Sequence, residues 1–146
     1  MALALAEAEA AAARGEVPVG AVITAADGRI VASAGNRVEE LKDPTAHAEI
    51  LVLRAAARLL GTPRLVGCDL WVTLEPCPMC AFAVALARIR RLYYGAEDPK
   101  MGGVDHGPRI FASPACHHRP EVYGGIGERR AAELLRAFFR ERRRER

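Results

Sequence analysis

Apolar residues recur along this chain in two rhythms, one near every third or fourth position and one in short dense runs. Residues 1–14 are Ala-rich, with Leu3, Leu5 and Glu7 near the start. Alanine is the best helix former, so this stretch predicts a helix that stops near Gly15. Residues 17–24 (VPVGAVIT) predict a strand, Asp27-Gly28 a hairpin turn and residues 29–34 the returning strand. Residues 36–46 are polar and predict a loop. Across residues 47–60, Ile50, Leu51, Leu53, Ala57 and Leu60 mark one helical face, with Thr45 as N-cap and Gly61 as the stop. Residues 68–74 (CDLWVTL) predict a buried strand. Residues 76–88 predict a second helix, with Pro in its first turn, and residues 92–95 a short strand. Residues 96–120 carry many Gly, Pro and His and predict a long loop with a helical turn near Ile110; loops of this length are usually functional. The last helix spans about 128–142, with Ala131, Leu134, Leu135, Phe138 and Phe139 on its apolar side.

The order is α-β-β-α-β-α-β-loop-α. A hairpin followed by alternating strands and helices implies an α/β fold with a mixed sheet covered on both faces. With 146 residues and no repeat or linker, one domain over 1–146 is expected.

Composition narrows the class. Apolar residues make up 51% and charged residues 27%, a globular rather than a disordered balance. The longest uncharged run, between Glu75 and Arg88, is 12 residues, short of the roughly 20 a membrane span needs. The start, MALALAEAEA, has no basic region before its apolar residues and so does not read as a signal peptide. A cytoplasmic protein with no membrane partner is expected. The net charge of +3 is unevenly spread: residues 129–146 carry +5, and the remainder −2. A basic tail suits a polyanion partner and equally suits the negative pole of a solvated helix end.

Four cysteines remain, Cys68, Cys77, Cys80 and Cys116. In a reducing compartment a close pair reads as a metal or redox site, whereas isolated cysteines read as small buried hydrophobes. Two pieces stand out, His47-Ala48-Glu49 and Pro76-Cys77-Pro78-Met79-Cys80. Alone, His47 suits a helix cap or core position, Glu49 a solvated charge, and the Cys pair a redox site. Together they make a different case, because each falls where a helix begins. Two thiols on one first turn lie on the same side, and helix N-termini favour thiolate. His47, Cys77 and Cys80 supply three ligands for one Zn²⁺ and leave the fourth position to water, the pattern of a catalytic site. Zinc lowers the pKa of such a water to about 7. Glu49, two residues from His47, is not a fourth ligand but is close enough to shuttle protons.

The motif H-x-E…P-C-x-x-C is that of the zinc deaminases. The flanking blocks are more particular: Glu16-Val17-Pro18-Val19-Gly20-Ala21-Val22, Asn36-Arg37, Asp43 to Ile50, Val72 to Cys80, Tyr94-Gly95-Ala96-Glu97-Asp98-Pro99-Lys100 and Phe138-Phe139-Arg140. Over nearly its whole length the chain resembles the bacterial tRNA-specific adenosine deaminases, the TadA family within the cytidine/deoxycytidylate deaminase superfamily. That resemblance implies a three-layer α/β/α sandwich with a central mixed sheet of about five strands. It implies hydrolytic deamination of the wobble adenosine of a tRNA anticodon to inosine, with release of ammonia, by a homodimer. It implies Glu49 as the catalytic proton carrier and substrate contacts at Asn36, Ala48, Asp98, Lys100 and Phe139. The chain departs from the family at Gly102-Gly103-Val104-Asp105-His106 and at His117-His118. His106, His117 and His118 are expected to be ordinary exposed loop histidines rather than a second metal site. Two other functions share the zinc motif: deamination of free bases or nucleosides such as guanine or cytosine, and a catalytically idle zinc-stabilised RNA-binding module. The intact Glu49 argues against the second.

Overall fold

Small side chains decide how closely the first helix approaches the sheet. In the computed structural model, which describes residues 1–145, helix α1 (Ala2–Ala13) buries Ala4, Ala8 and Ala11 on one face. It lies directly on strands β1 (Gly20–Thr24) and β2 (Ile30–Gly35). At Gly20 the approach is so close that a methyl group would overlap the Ala4 carbonyl and stand 2.6 Å from the Ala8 nitrogen. Overpacking of this kind costs about 1–3 kcal/mol, which accounts for a glycine inside a buried strand.

Strands β3 (Asp69–Leu74), β4 (Arg91–Ala96) and β5 (Glu121–Tyr123) complete one sheet in the order β2-β1-β3-β4-β5. β1 is antiparallel to β2 and β3, while β3–β4 and β4–β5 are parallel. Helix α1 and the last helix, α5 (Glu128–Arg144), cover one face. On the other face lie α3 (Ala48–Leu60) and α4 (Pro78–Leu86), packed on each other. There Ile23, Leu70, Val72 and Leu92 of the sheet share a fully buried core with Val52 and Ala56 of α3 and Ala81 and Val84 of α4. The result is the expected three-layer α/β/α arrangement on a five-stranded mixed sheet.

Direction explains where the site forms. β2 and β3 are both antiparallel to β1 and therefore parallel to each other. The chain leaves their C-terminal ends to enter α3 and α4, so both helix N-termini stand at one edge of the sheet. The segment after β4 leaves at the same edge. Open α/β sheets bind ligands there.

The elements depart from expectation in several places. β1 begins at Gly20 instead of residue 17; Pro18 has no N–H to give a ladder, and the Val19 N–H turns back to the Val17 carbonyl at 2.8 Å. The polar segment 36–46 contains a four-residue helix, α2 (Val38–Leu41), whose Glu39 and Glu40 N–H groups donate to the buried Glu16 carboxylate at 3.0 and 2.8 Å. Thr45 does not cap α3. Its N–H and hydroxyl both donate to Asp43, and His47, with extended backbone, occupies the cap position. Helix α4 begins at Pro78, not residue 76, with Cys77 at its cap, and α5 runs two residues past 142. Strand β5 supplies the fifth strand that the resemblance implies but has no counterpart in the element order read from the apolar pattern. Its three residues have no strand pattern of their own and are fixed by pairing with β4 and by the stacking of Tyr123 on Tyr93, which stacks in turn on Trp71. The turn near Ile110 is present as a 3₁₀ turn, Ile110–Ala112. Cys68 and Cys116 are buried, as expected of small hydrophobes. No helix among the described residues is long and apolar enough to cross a membrane.

Candidate active site

Three soft or borderline donors meet where α3 and α4 begin. His47 Nδ1 lies 3.7 Å from Cys77 Sγ and 3.5 Å from Cys80 Sγ. All three ligand atoms fall within 4.8 Å of one another, and no other such donor cluster exists among the described residues. A tetrahedral zinc with Zn–N near 2.0 Å and Zn–S near 2.3 Å separates its nitrogen and sulfur ligands by about 3.6 Å. The donor set therefore fits one zinc ion on both geometry and chemistry, and it offers three protein ligands rather than four.

The local electrostatics suit thiolates. The Cys77 thiol is drawn down to about 4 by the hydrogen bond from the Cys80 thiol and by His47. Cys80, facing that thiolate and buried, keeps its proton. The hydrogen bond with Cys77 raises the His47 pKa. Zinc binding requires both thiols ionised and the imidazole neutral at its ligand nitrogen, so it releases protons.

Glu49 sits in the first turn of α3, only 4% exposed, and lines the cavity beside these ligands. Burial raises its carboxyl to about 7. A buried carboxyl beside the metal donors is placed for general acid–base work.

A cavity of about 520 Å³ opens over this group. Asn36, His47, Glu49, Cys77, Asp98 and Phe139 line it, so the fold assembles residues spread across more than a hundred positions. Asn36 is held by its N–H on the Val19 carbonyl, and its Oδ1 accepts from the Ala48 N–H at 2.7 Å. That bond orients the amide and leaves the Nδ2 donors for the cavity. It also commits the Ala48 N–H, so Ala48 supports Asn36 and does not itself line the cavity. Asp98 Oδ1 accepts from the Lys100 and Met101 N–H groups, a tight turn that sets the carboxylate. Lys100 is exposed and lies outside the cavity wall. Phe139 is 45% exposed and packs edge-on against Phe138.

Of the three loop histidines, only His117 is fully exposed. The His118 ring meets the Ile89 carbonyl at 2.7 Å, and the His106 ring meets the Glu75 carboxylate at 2.7 Å. The expectation of ordinary exposed histidines is therefore corrected for two of the three. Sequence reasoning also passed over Glu16, Glu75 and Arg142. The charge pattern marks Arg142 only as part of the basic tail. Its guanidinium lies 4.8 Å over the Phe138 ring, donates to the Gly15 carbonyl and lines the cavity. The two glutamates fall inside family-like blocks, but nothing in their spacing shows that their carboxylates are buried.

Residues 1–96 match the family model described as the cytidine and deoxycytidylate deaminase zinc-binding region. The tRNA-specific adenosine deaminase of Agrobacterium fabrum is 60% identical over 143 residues, 98% of this chain and 93% of its own. The chain belongs to the tRNA-specific adenosine deaminase family. A solved structure from studies of A-to-I editing by tRNA:A34 deaminases superposes on this deaminase with a TM-score of 0.91 and 59% identity, over 92% of this chain and 97% of the other. The guanine deaminase of Nitrosomonas europaea is similar at a TM-score of 0.80 and 27% identity, over 94% of this deaminase and 81% of its own chain. The two chains thus share one scaffold.

Proposed function

We propose that residues 1–146 act as one deaminase domain that hydrolyses the wobble adenosine of a tRNA anticodon to inosine and ammonia, as a cytoplasmic homodimer. The observation that carries this reading is the cavity itself. A three-ligand metal group and a buried glutamate lie at its floor, and the aromatic, Arg-rich end of α5 stands at its rim.

Zinc, when bound by His47, Cys77 and Cys80, supplies a Lewis acid that acidifies a water at neutral pH. Glu49, buried beside these ligands, would take a proton from water as the water oxygen bonds to C6 of the purine, and would pass it to the ring nitrogen N1. A second transfer through Glu49 would carry the proton of the new C6 hydroxyl to the exocyclic amine, leaving the C6 carbonyl. The C6–N6 bond breaks, ammonia leaves, and the ring keeps the oxygen as inosine. Asn36 presents Nδ2 donors, which suit an acceptor on the purine ring. Asp98, across the cavity, suits the ribose of the same nucleotide. A base must leave its stack to reach such a floor. Phe139 offers a stacking surface and the α5 arginines offer phosphate contacts. Exposed apolar side chains on α3 and α4, among them Leu60, Met79 and Leu86, support the pairing of two chains.

The test is to incubate the zinc-loaded protein with an anticodon stem-loop bearing a wobble adenosine, and separately with free adenosine, cytidine and guanine. Inosine should form in the stem-loop and the free compounds should remain largely unchanged. Turnover of guanine with an untouched stem-loop would replace this reading by base deamination. No turnover of any compound would favour an RNA-binding role.

A further inference from the structure

Glu75 stands between β3 and the cysteine turn, and its side chain is wholly buried. A carboxylate in that position loses several kcal/mol of hydration, and only strong hydrogen bonding offsets such a loss. Five bonds do so, all from the segment that follows β4. Oε1 accepts from the Asp98 N–H at 3.0 Å and from His106 Nδ1 at 2.7 Å. Oε2 accepts from the N–H groups of Val104, Asp105 and His106 at 3.2, 3.0 and 3.1 Å. The far side of the His106 ring faces Glu97, with Nε2 3.3 Å from its carboxylate. The Tyr94 hydroxyl fixes Asp105 from β4.

The segment is closely packed where it lies. A methyl group on Gly102 would overlap both the Glu75 carboxylate and the Asp98 carbonyl. The Gly103 N–H donates to the Pro76 carbonyl at 2.8 Å, which seats the segment against the start of α4. Within this network Glu75 and Asp98 both line the cavity; the Glu75 side chain is wholly buried, so Asp98 is the member placed to meet substrate. A single buried carboxylate thus ties the cavity wall at Asp98 to the turn that carries Cys77.

We propose that Glu75 and His106 are positioning residues that fix the Asp98 wall of the cavity at its working distance from the metal group. This rests on the reading of Asp98 as a substrate contact. Neither residue transfers a proton in the reaction. Their effect belongs in substrate binding, because a wall displaced by about 1 Å costs affinity and alignment while the metal and Glu49 stay in place.

The test uses zinc-loaded holoenzyme carrying His106→Gln, Glu75→Gln, Asp98→Ala and the pair Asp98→Ala with His106→Gln. Zinc content, kcat, KM and hydrogen exchange of the 97–106 segment are measured for each. His106→Gln should raise KM about tenfold, the scale of a lost charge-assisted bond. It should also speed exchange in the segment, leave kcat within about twofold and keep one zinc per chain. In the Asp98→Ala background the same change should raise KM no further. Unchanged KM and exchange in His106→Gln would overturn the proposal. So would a full additional loss in the pair, or loss of zinc with a parallel fall in kcat. If Glu75→Gln fails to fold, the His106 variants still decide the matter. Kinetics are run on whichever compound the wild type deaminates. A wild type inactive on the stem-loop therefore sinks the tRNA reading alone, while segment exchange and the double-variant comparison still judge the positioning role.

Discussion

Replacing the Glu49 carboxyl by an amide keeps its shape and its place in the first turn of α3 while removing the exchangeable proton. Since Glu49 is not among the metal donors, Glu49→Gln should bind one zinc per chain and melt close to the wild type. Its turnover should fall by at least about 10²–10⁴-fold, the range for lost general acid–base catalysis. Elemental analysis beside single-turnover kinetics measures both, and near-normal turnover would move the proton carrier elsewhere. Asn36→Asp makes a subtler separation. The acceptor for the Ala48 N–H survives, so the local backbone should hold, but the cavity loses two donors and gains a charge. KM should rise by about tenfold or more, in line with about 1–3 kcal/mol for a hydrogen bond lost in a desolvated site. Steady-state kinetics against the stem-loop would show it.

Segments have their own signatures. The Glu75 carboxylate, then Glu97 and Asp105, favour the protonated His106 ring and raise its pKa above 6.5. A raised folded-state pKa means the contact stabilises fully below the unfolded value and is lost as pH climbs through the folded one. Protection factors of the Val104 and Asp105 amides should therefore fall as pH rises above about 6.5, and should be flatter with pH in His106→Gln. Helix α5 invites a different measurement. A chain that ends at Arg142 loses Arg143, Arg144, Glu145 and Arg146 but retains the guanidinium that braces Gly15. Stem-loop binding should weaken with a shallower salt dependence, because fewer counterions are released, and the single-turnover rate at saturation should stay. An unchanged salt slope would mean that these arginines are merely solvated. The helices that carry the zinc ligands were legible in the sequence because their apolar spacing, Gly61 stop and first-turn proline are local. α2 and β5 were not legible. One is held by a carboxylate more than twenty residues away and the other by its neighbour's register, and neither leaves a periodic trace. His106 and Glu75 were hidden for the same reason, since a buried hydrogen-bond hub is a property of the packed segment rather than of any short motif.

At the scale of the molecule, charge and apolar surface are separately placed. Residues 129–144, which lie on α5, carry +5, whereas Leu59, Leu60, Met79 and Leu86 are exposed on α3 and α4, across the sheet. A chain of 15.8 kDa should therefore sediment at twice that mass. Replacing Leu86 and Leu60 by Glu should return it to the monomer mass if these faces pair the chains. A wild-type monomer at working concentrations would remove the homodimer from the proposal.

The donors at positions 47, 77 and 80 come from two helices that meet only in the folded chain. Metal affinity at such a site is drawn on by folding itself, so the fraction of chains folded becomes a reading of free zinc. Each tenfold rise in free zinc above the dissociation constant adds about 1.4 kcal/mol to the folded state. In a zinc-starved cell, quality-control proteases would meet more open chains long before catalysis lacked its metal. The amount of enzyme present would then fall with zinc supply, which makes abundance, not only activity, a function of metal nutrition.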